Sequence, residues 1–249
     1  MKRLWHLFLS AVAFMTRLPV PREMQGTPDG LAGAAVFFPL VGLLTSAGAV
    51  ILNHVFSRFV AHDVVILIVL VFLVAITGGF HEDALADAAD GFGGGWGKDQ
   101  ILSIMRDSRV GSFGALAIAL SVLARFVFLA NLPSQRFDSY LLAGQVTCRW
   151  TALPLAFFLP PAREESGQGA RVAGKITTLS LVMGTLLTFG ILGVALRMKA
   201  LWVGLTAVVT TVVSGAYFRR RIGGVTGDCL GATNQLTEVA VYFAGVVLR

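Results

Sequence analysis

Charge is scarce in this chain of 249 residues: only 14% are Asp, Glu, Lys or Arg. Average soluble domains carry about a quarter, so an ordinary globular domain is excluded. Disorder is excluded too, because it requires low hydrophobicity, and 55% of these residues are hydrophobic. Cysteine is nearly absent. Cys148 and Cys229 are the only two, far apart and outside any Cys-x-x-Cys pattern, so both are read as reduced and structural. No collagen-like, heptad or longer internal repeat is present, which removes fibrous, coiled-coil and solenoid classes. The apolar runs do not alternate with period two, and a transmembrane barrel falls with that.

What is present is long apolar sequence, with a mean hydropathy of +0.76. The expected fold is all-α: a polytopic transmembrane helix bundle forming one integral membrane domain over residues 1–249. A spanning helix needs about 20 apolar residues. Leu31–Leu52, Val64–Gly79, Gly111–Ala130, Ser139–Leu159, Ile176–Leu196 and Leu201–Phe218 meet that need. Val239–Leu248 is a seventh, shorter candidate that half-spans or lies against the bundle, giving about six to seven spans. The N-terminal run to Met15 imitates a signal peptide but continues into Thr16-Arg17-Leu18-Pro19-Val20-Pro21 without a small-residue cleavage site. It reads as a retained interfacial or re-entrant helix.

The net charge is 20 − 14 = +6. In a membrane protein this is the surplus of cytoplasmic cations, with an affinity for anionic lipid or phosphorylated substrates, and nucleic acid is not expected. With the N-terminus inside, thirteen Lys and Arg residues, Arg171 among them, fall on the inside. Only Arg58, Arg136, Arg197 and Lys199 fall outside. The positive-inside rule therefore puts the polar connections Phe80–Val110 and Arg219–Glu238 together on the cytoplasmic side.

The first connection carries the chemistry. Within Gly78–Gly95 stand Glu82, Asp83, Asp87, Asp90 and His81, with no interleaved cation. On a helix Asp83, Asp87 and Asp90 lie at about 0°, 40° and −20°, one narrow stripe. Like charges so spaced repel, and a hard divalent cation such as Mg²⁺ reverses the sign of that effect. Either two ions, or one ion with a carboxylate left to act on a nucleophile, fits the roughly 10 Å length of the stripe. His81 is a base, a ligand or a structural hydrogen-bonding group. The glycines after Asp90, with Gly93 and Gly94 at their centre, suit a loop contacting phosphate, although the ending of a nucleotide-binding P-loop is missing. Arg106 and Arg109 bracket Asp107 and offer planar donors for phosphate oxygens. In the second connection, Asp228, Gly231, Gln235 and Glu238 share a helical face.

These segments resemble the cobalamin synthase family. The resemblance rests on Gly78-Gly79-x-His81-x-Asp83-x-x-Ala86-Asp87-x-x-Asp90-Gly91-x-Gly93-Gly94-Gly95, on Met105-x-Asp107-Ser108-Arg109-x-Gly111, and on Gly223-Gly224-x-Thr226-Gly227-Asp228-x-Leu230-Gly231-Ala232. Thr16–Pro21 and Phe38-Pro39-Leu40-Val41-Gly42 fit as well. Ala84 and Ala88 stand where Gly and Thr are expected, and both keep the side chain small. The resemblance implies a Mg²⁺-dependent, multi-pass enzyme of the bacterial inner membrane with its N-terminus and active site cytoplasmic. Its reaction joins adenosylcobinamide-GDP to α-ribazole or its 5′-phosphate and releases GMP. Asp83, Asp87 and Asp90 would hold metal, with one of them or His81 as base. Arg106, Arg109, Gly93 and Gly94 would take phosphate, with Glu82, Asp107, Asp228 and Glu238 in support. Partners are the two small substrates and membrane lipid, with a homo-oligomer left open. The rival class is an ion-coupled transporter with a cytoplasm-facing acidic site, which calls for paired broken helices in two halves.

Overall fold

In lipid each backbone polar group must be satisfied within its own segment, so long apolar runs become helices. The computed structural model describes residues 2–24, 30–163 and 172–248; Arg171 lies outside them. Among the described residues the chain is helical throughout, without a strand, and one isolated parallel bridge joins Pro161 to Val225.

Helix α1 (Lys2–Met15) exposes its charged first turn and buries Ser10, Ala11, Val12 and Met15. Phe14 at its end stacks on Phe38, with ring centroids 5.8 Å apart. The short α2 (Leu31–Ala34) leads through a 3-10 turn into α3 (Phe38–Phe56). Next, α4 (His62–Thr77) and α5 (Phe80–Gly94) meet at an angle of 84°. The corner is Gly78 and Gly79, both left-handed with φ of 68° and 72°, a conformation that costs other residues a clash at Cβ. Helices α6 (Lys98–Ile104) and α7 (Ser112–Ala130) follow.

Gly111–Ala130 thus becomes α7, but Ser139–Leu159 is interrupted at Thr151 into α8 (Phe137–Trp150) and α9 (Ala152–Phe158). Helix α8 is the axis of the bundle: every residue from Ala143 to Trp150 is buried. Gly42 of α3 lies directly on its backbone, where a Cβ would run into the carbonyl of Gln145. Gly42→Val should therefore lower stability in detergent by about 1–3 kcal/mol, read from thermal unfolding of the purified chain. An unchanged midpoint would mean that α3 and α8 are not in backbone contact.

Helices α10 (Thr178–Leu196) and α11 (Ala200–Ile222) make one 45-residue apolar stretch. Arg197, with φ of 51°, folds it back on itself, so that the Phe189 ring packs on Gly204. By length and composition the membrane-crossing stretches are this one, Leu31–Phe56 and Ser112–Ala130, with the bent α4–α5 pair as a fourth. The folded-back stretch supplies two helices long enough to span, α10 and α11, while α8 and α9 are short and the last helix is polar in its first half.

That last helix, α12 (Gly227–Val247), corrects the expected connection Arg219–Glu238. Helix α11 continues to Ile222 and ends on left-handed Gly223, and α12 starts after Thr226, whose hydroxyl accepts the Cys229 N–H at 3.2 Å. Only residues 223–226 link the two. The polar stripe therefore enters the bundle, where Gln235 and Glu238 are 2% and 3% exposed.

Candidate active site

The acidic helix α5 is packed between α7 and α12, and its four carboxylates go to different places. Asp90 reaches the start of α7. Its carboxylate accepts the Gly111 N–H at 2.7 Å and the Gly114 N–H at 2.9 Å, so it caps a helix that has no capping side chain of its own. Both partners are glycines because a Cβ at either would strike that carboxylate.

Glu82 and Glu238, expected as supporting groups beside the substrate, turn into the protein instead. Glu82 accepts from Arg125 at 3.1 Å and from Gln235 at 3.3 Å, and Glu238 stands 3.6 Å from the same guanidinium. Arg125 is 1% exposed. An Arg in the interior of α7 needs such partners, since an uncompensated charge there is costly.

Asp83, Asp87 and Asp228 form the remaining acidic group. Asp87 is within electrostatic reach of Asp83, Asp90 and Asp228, and of one cation, Arg163. Asp83 and Asp228 line a cavity of about 330 Å³ together with His81, Arg163, Thr226 and Asn234, closed on the apolar side by Phe14, Phe38 and Phe80. Asp228 lies in the first turn of α12, where the helix dipole favours a carboxylate. His81 is buried, and its Nε2 has no hydrogen-bond partner.

Sequence reasoning missed Arg163. The backbone brings it in: Ala162 N–H donates to the Val225 carbonyl at 3.0 Å, and Val225 N–H to the Pro160 carbonyl at 2.9 Å. Gly224 is the sequence signal for this contact, because a Cβ there would meet the Pro160 carbonyl. Arg163 donates to the Leu102 carbonyl at 2.7 Å while its Nε is buried without a partner. Burial pulls its pKa below the usual guanidinium range and Arg106 adds to this, while Asp228 and Asp87 oppose it.

Arg109, expected at phosphate, lies outside the cavity. Its guanidinium is bound at 2.6 Å by Asp107, and the side chain is 87% exposed. The Asp107 carboxyl is held down to about 2 by hydrogen bonds from the Arg109 side chain and backbone. The two residues neutralise each other on the surface. Arg106 is exposed but within electrostatic reach of Arg163.

The glycine run is also different from a loop. Helix α5 extends through Gly94, and the missing side chains admit neighbours: Met105 at Gly91, the Phe113 ring at Gly93 and Ile101 at Gly95. Gly93 and Gly94 remain exposed. Among the described residues no three His, Cys, Asp or Glu side chains are gathered tightly enough to hold an ion as they stand.

A family described as Cobalamin-5-phosphate synthase matches residues 7–246. A protein of Shewanella amazonensis named adenosylcobinamide-GDP ribazoletransferase is 35% identical over 99% of this chain and 97% of its own length. Proteins of the same name from Shewanella baltica and Shewanella pealeana are 34% and 35% identical over 98% of this chain, and over 96% and 95% of their own lengths. No solved structure matches. With the family match spanning nearly the whole chain and relatives alike end to end, this helical membrane protein belongs to the cobalamin-5-phosphate synthase family.

Proposed function

We propose that this chain joins adenosylcobinamide-GDP to α-ribazole or its 5′-phosphate and releases GMP, a late step of cobalamin assembly. The observation that carries this reading is the cavity in which Asp83 and Asp228 share one wall system with a single guanidinium, Arg163. Relatives matched over nearly their full length carry the name of that reaction.

In the reaction a ribose hydroxyl attacks the phosphorus attached to the aminopropanol arm. The new P–O bond forms as the bond to the GMP oxygen breaks, and the hydroxyl proton must leave. Displacement on a pyrophosphate requires in-line positioning and neutralised charge. Arg163 binds phosphate oxygens through its planar fork. Asp83 or His81 takes the hydroxyl proton, both facing the cavity. The phenyl rings of Phe14, Phe38 and Phe80 keep water from that side.

The donors suit Mg²⁺ in kind, crowded hard carboxylate oxygens with one opposing cation, and the side chains must draw together to close on an ion. Asp83, Asp87 and Asp228 would hold it, Asp90 being committed to α7, and when bound it would supply charge neutralisation at the pyrophosphate. Purified protein given both substrates should release GMP with Mg²⁺ and stop when the ion is chelated. GMP release unaffected by chelation would remove the metal, and no release under any condition would remove the reaction.

The thirteen-to-four distribution of cations supports a bacterial inner-membrane location with the N-terminus and cavity cytoplasmic. A transporter needs broken helices paired between two halves, and among the described residues α4–α5 is the one sharply bent candidate span.

The two arginine assignments separate in one experiment. Arg163→Lys should lower turnover at least about tenfold, because a point charge replaces a fork at the reacting phosphate. Arg109→Lys should stay within about twofold, as expected of an exposed pair. Steady-state GMP release decides it, and the reverse order would return phosphate binding to Arg109.

A further inference from the structure

A second cavity, of about 600 Å³, lies between α9, α10 and α11 and shares no residue with the acidic one. Leu155 and Phe158 of α9, Leu181 of α10 and Val208 and Val212 of α11 line it, with Arg219 at one end. Its few polar side chains are already satisfied. The Thr185 hydroxyl accepts the Trp150 indole N–H at 2.9 Å, and the Thr211 hydroxyl donates to the Ala207 carbonyl at 2.7 Å. The walls therefore offer an occupant only dispersion and apolar contact. From Val208 to Arg219 the groove follows α11 for roughly 16 Å, close to the length of a fatty acyl tail. The face around it is apolar and exposed, with Leu186 at 64% and Val213 at 63%, on helices that belong to a membrane-crossing stretch.

The charge at the end of the groove selects the headgroup. Of the triplet Arg219–Arg221, Arg221 donates to the Gly95 carbonyl at 2.9 Å and to the Tyr217 hydroxyl at 2.9 Å. Arg219 and Arg220 are exposed at the C-terminal end of α11, and among the described residues no carboxylate forms an ion pair with either. We propose that this groove is a binding site for an anionic phospholipid, one acyl chain lying between α9, α10 and α11 and the phosphate on Arg219. An apolar slot closed by a cation at membrane-surface level matches the two ends of that molecule and mismatches a zwitterionic one, whose phosphate charge is already balanced.

The test uses the full chain in detergent, with phosphatidylglycerol and phosphatidylcholine of identical acyl chains added in turn. Native mass spectrometry should find phosphatidylglycerol retained about fivefold more than phosphatidylcholine. Arg219→Gln should abolish the preference, and Ala216→Trp, which fills the groove from an exposed position, should reduce retention of both lipids. GMP release by the two variants should match the unaltered chain. Equal retention of the two lipids would overturn the site, as would a preference that survives both variants. So would loss of phosphatidylglycerol in favour of free inorganic phosphate at equal concentration, or of a second copy of the chain as protein concentration rises.

Discussion

Arg125→Met should destabilise the purified chain by about 3–5 kcal/mol, the cost of breaking a buried ion cluster by removing one partner. The reason is local. Glu82 and Glu238 both depend on that guanidinium, and one oxygen of each, Glu82 Oε2 and Glu238 Oε1, already lacks a hydrogen bond. Without Arg125, two carboxylates face each other inside the bundle. Adding Glu82→Gln and Glu238→Gln to Arg125→Met removes both stranded charges, and most of the stability should return. Denaturant titration in mixed micelles provides the measurement. A loss under about 1 kcal/mol for the single variant would place the cluster in solvent and refute its role in holding α5 against α7 and α12.

Asp87→Asn and Asp228→Asn should each reduce turnover at least about a hundredfold with the fold intact, because each removes a full charge from the group proposed to organise the pyrophosphate. Asp90→Asn is the informative contrast. Its carboxylate accepts two backbone N–H groups of α7, so its loss should appear first as stability, about 1–2 kcal/mol, the size of a lost helix cap. Steady-state GMP release beside thermal unfolding distinguishes the two. If Asp87→Asn and Asp90→Asn gave the same profile in both measurements, the division of the stripe between the acidic group and the helix cap would be wrong.

The helical class was legible from composition alone, and so were the edges of α4, α7 and α10, because apolar runs of the right length admit one solution in lipid. The stripe Asp83, Asp87 and Asp90 was legible as a stripe, since helical periodicity is local. Its partition was not. Asp90 meets Gly111 and Gly114 across more than twenty residues, and Glu82 meets Arg125 across forty-three. Periodicity says which face a residue is on and nothing about which helix arrives there. The glycines carried that information in a form easy to misread: Gly111, Gly114 and Gly224 mark where another segment touches the backbone, and Gly91–Gly95 marks close helix packing where a phosphate loop was expected. Arg163 stayed hidden because its position depends on a bridge between Pro161 and Val225, sixty-four residues apart.

Helix α12 holds Asp228 at the cavity and Glu238 in the buried cluster on one uninterrupted rod. Ten residues of helix fix the two sites about 15 Å apart and at a set angle about the axis. A single inserted or deleted residue between them would turn one site by about 100° relative to the other, and no side-chain adjustment could restore both. Length change in this segment is thus forbidden in steps smaller than whole sets of turns, even where the intervening residues themselves are replaceable. In descendants of this chain the spacing between Asp228 and Glu238 should drift far less than the identity of Leu230 or Leu236 between them.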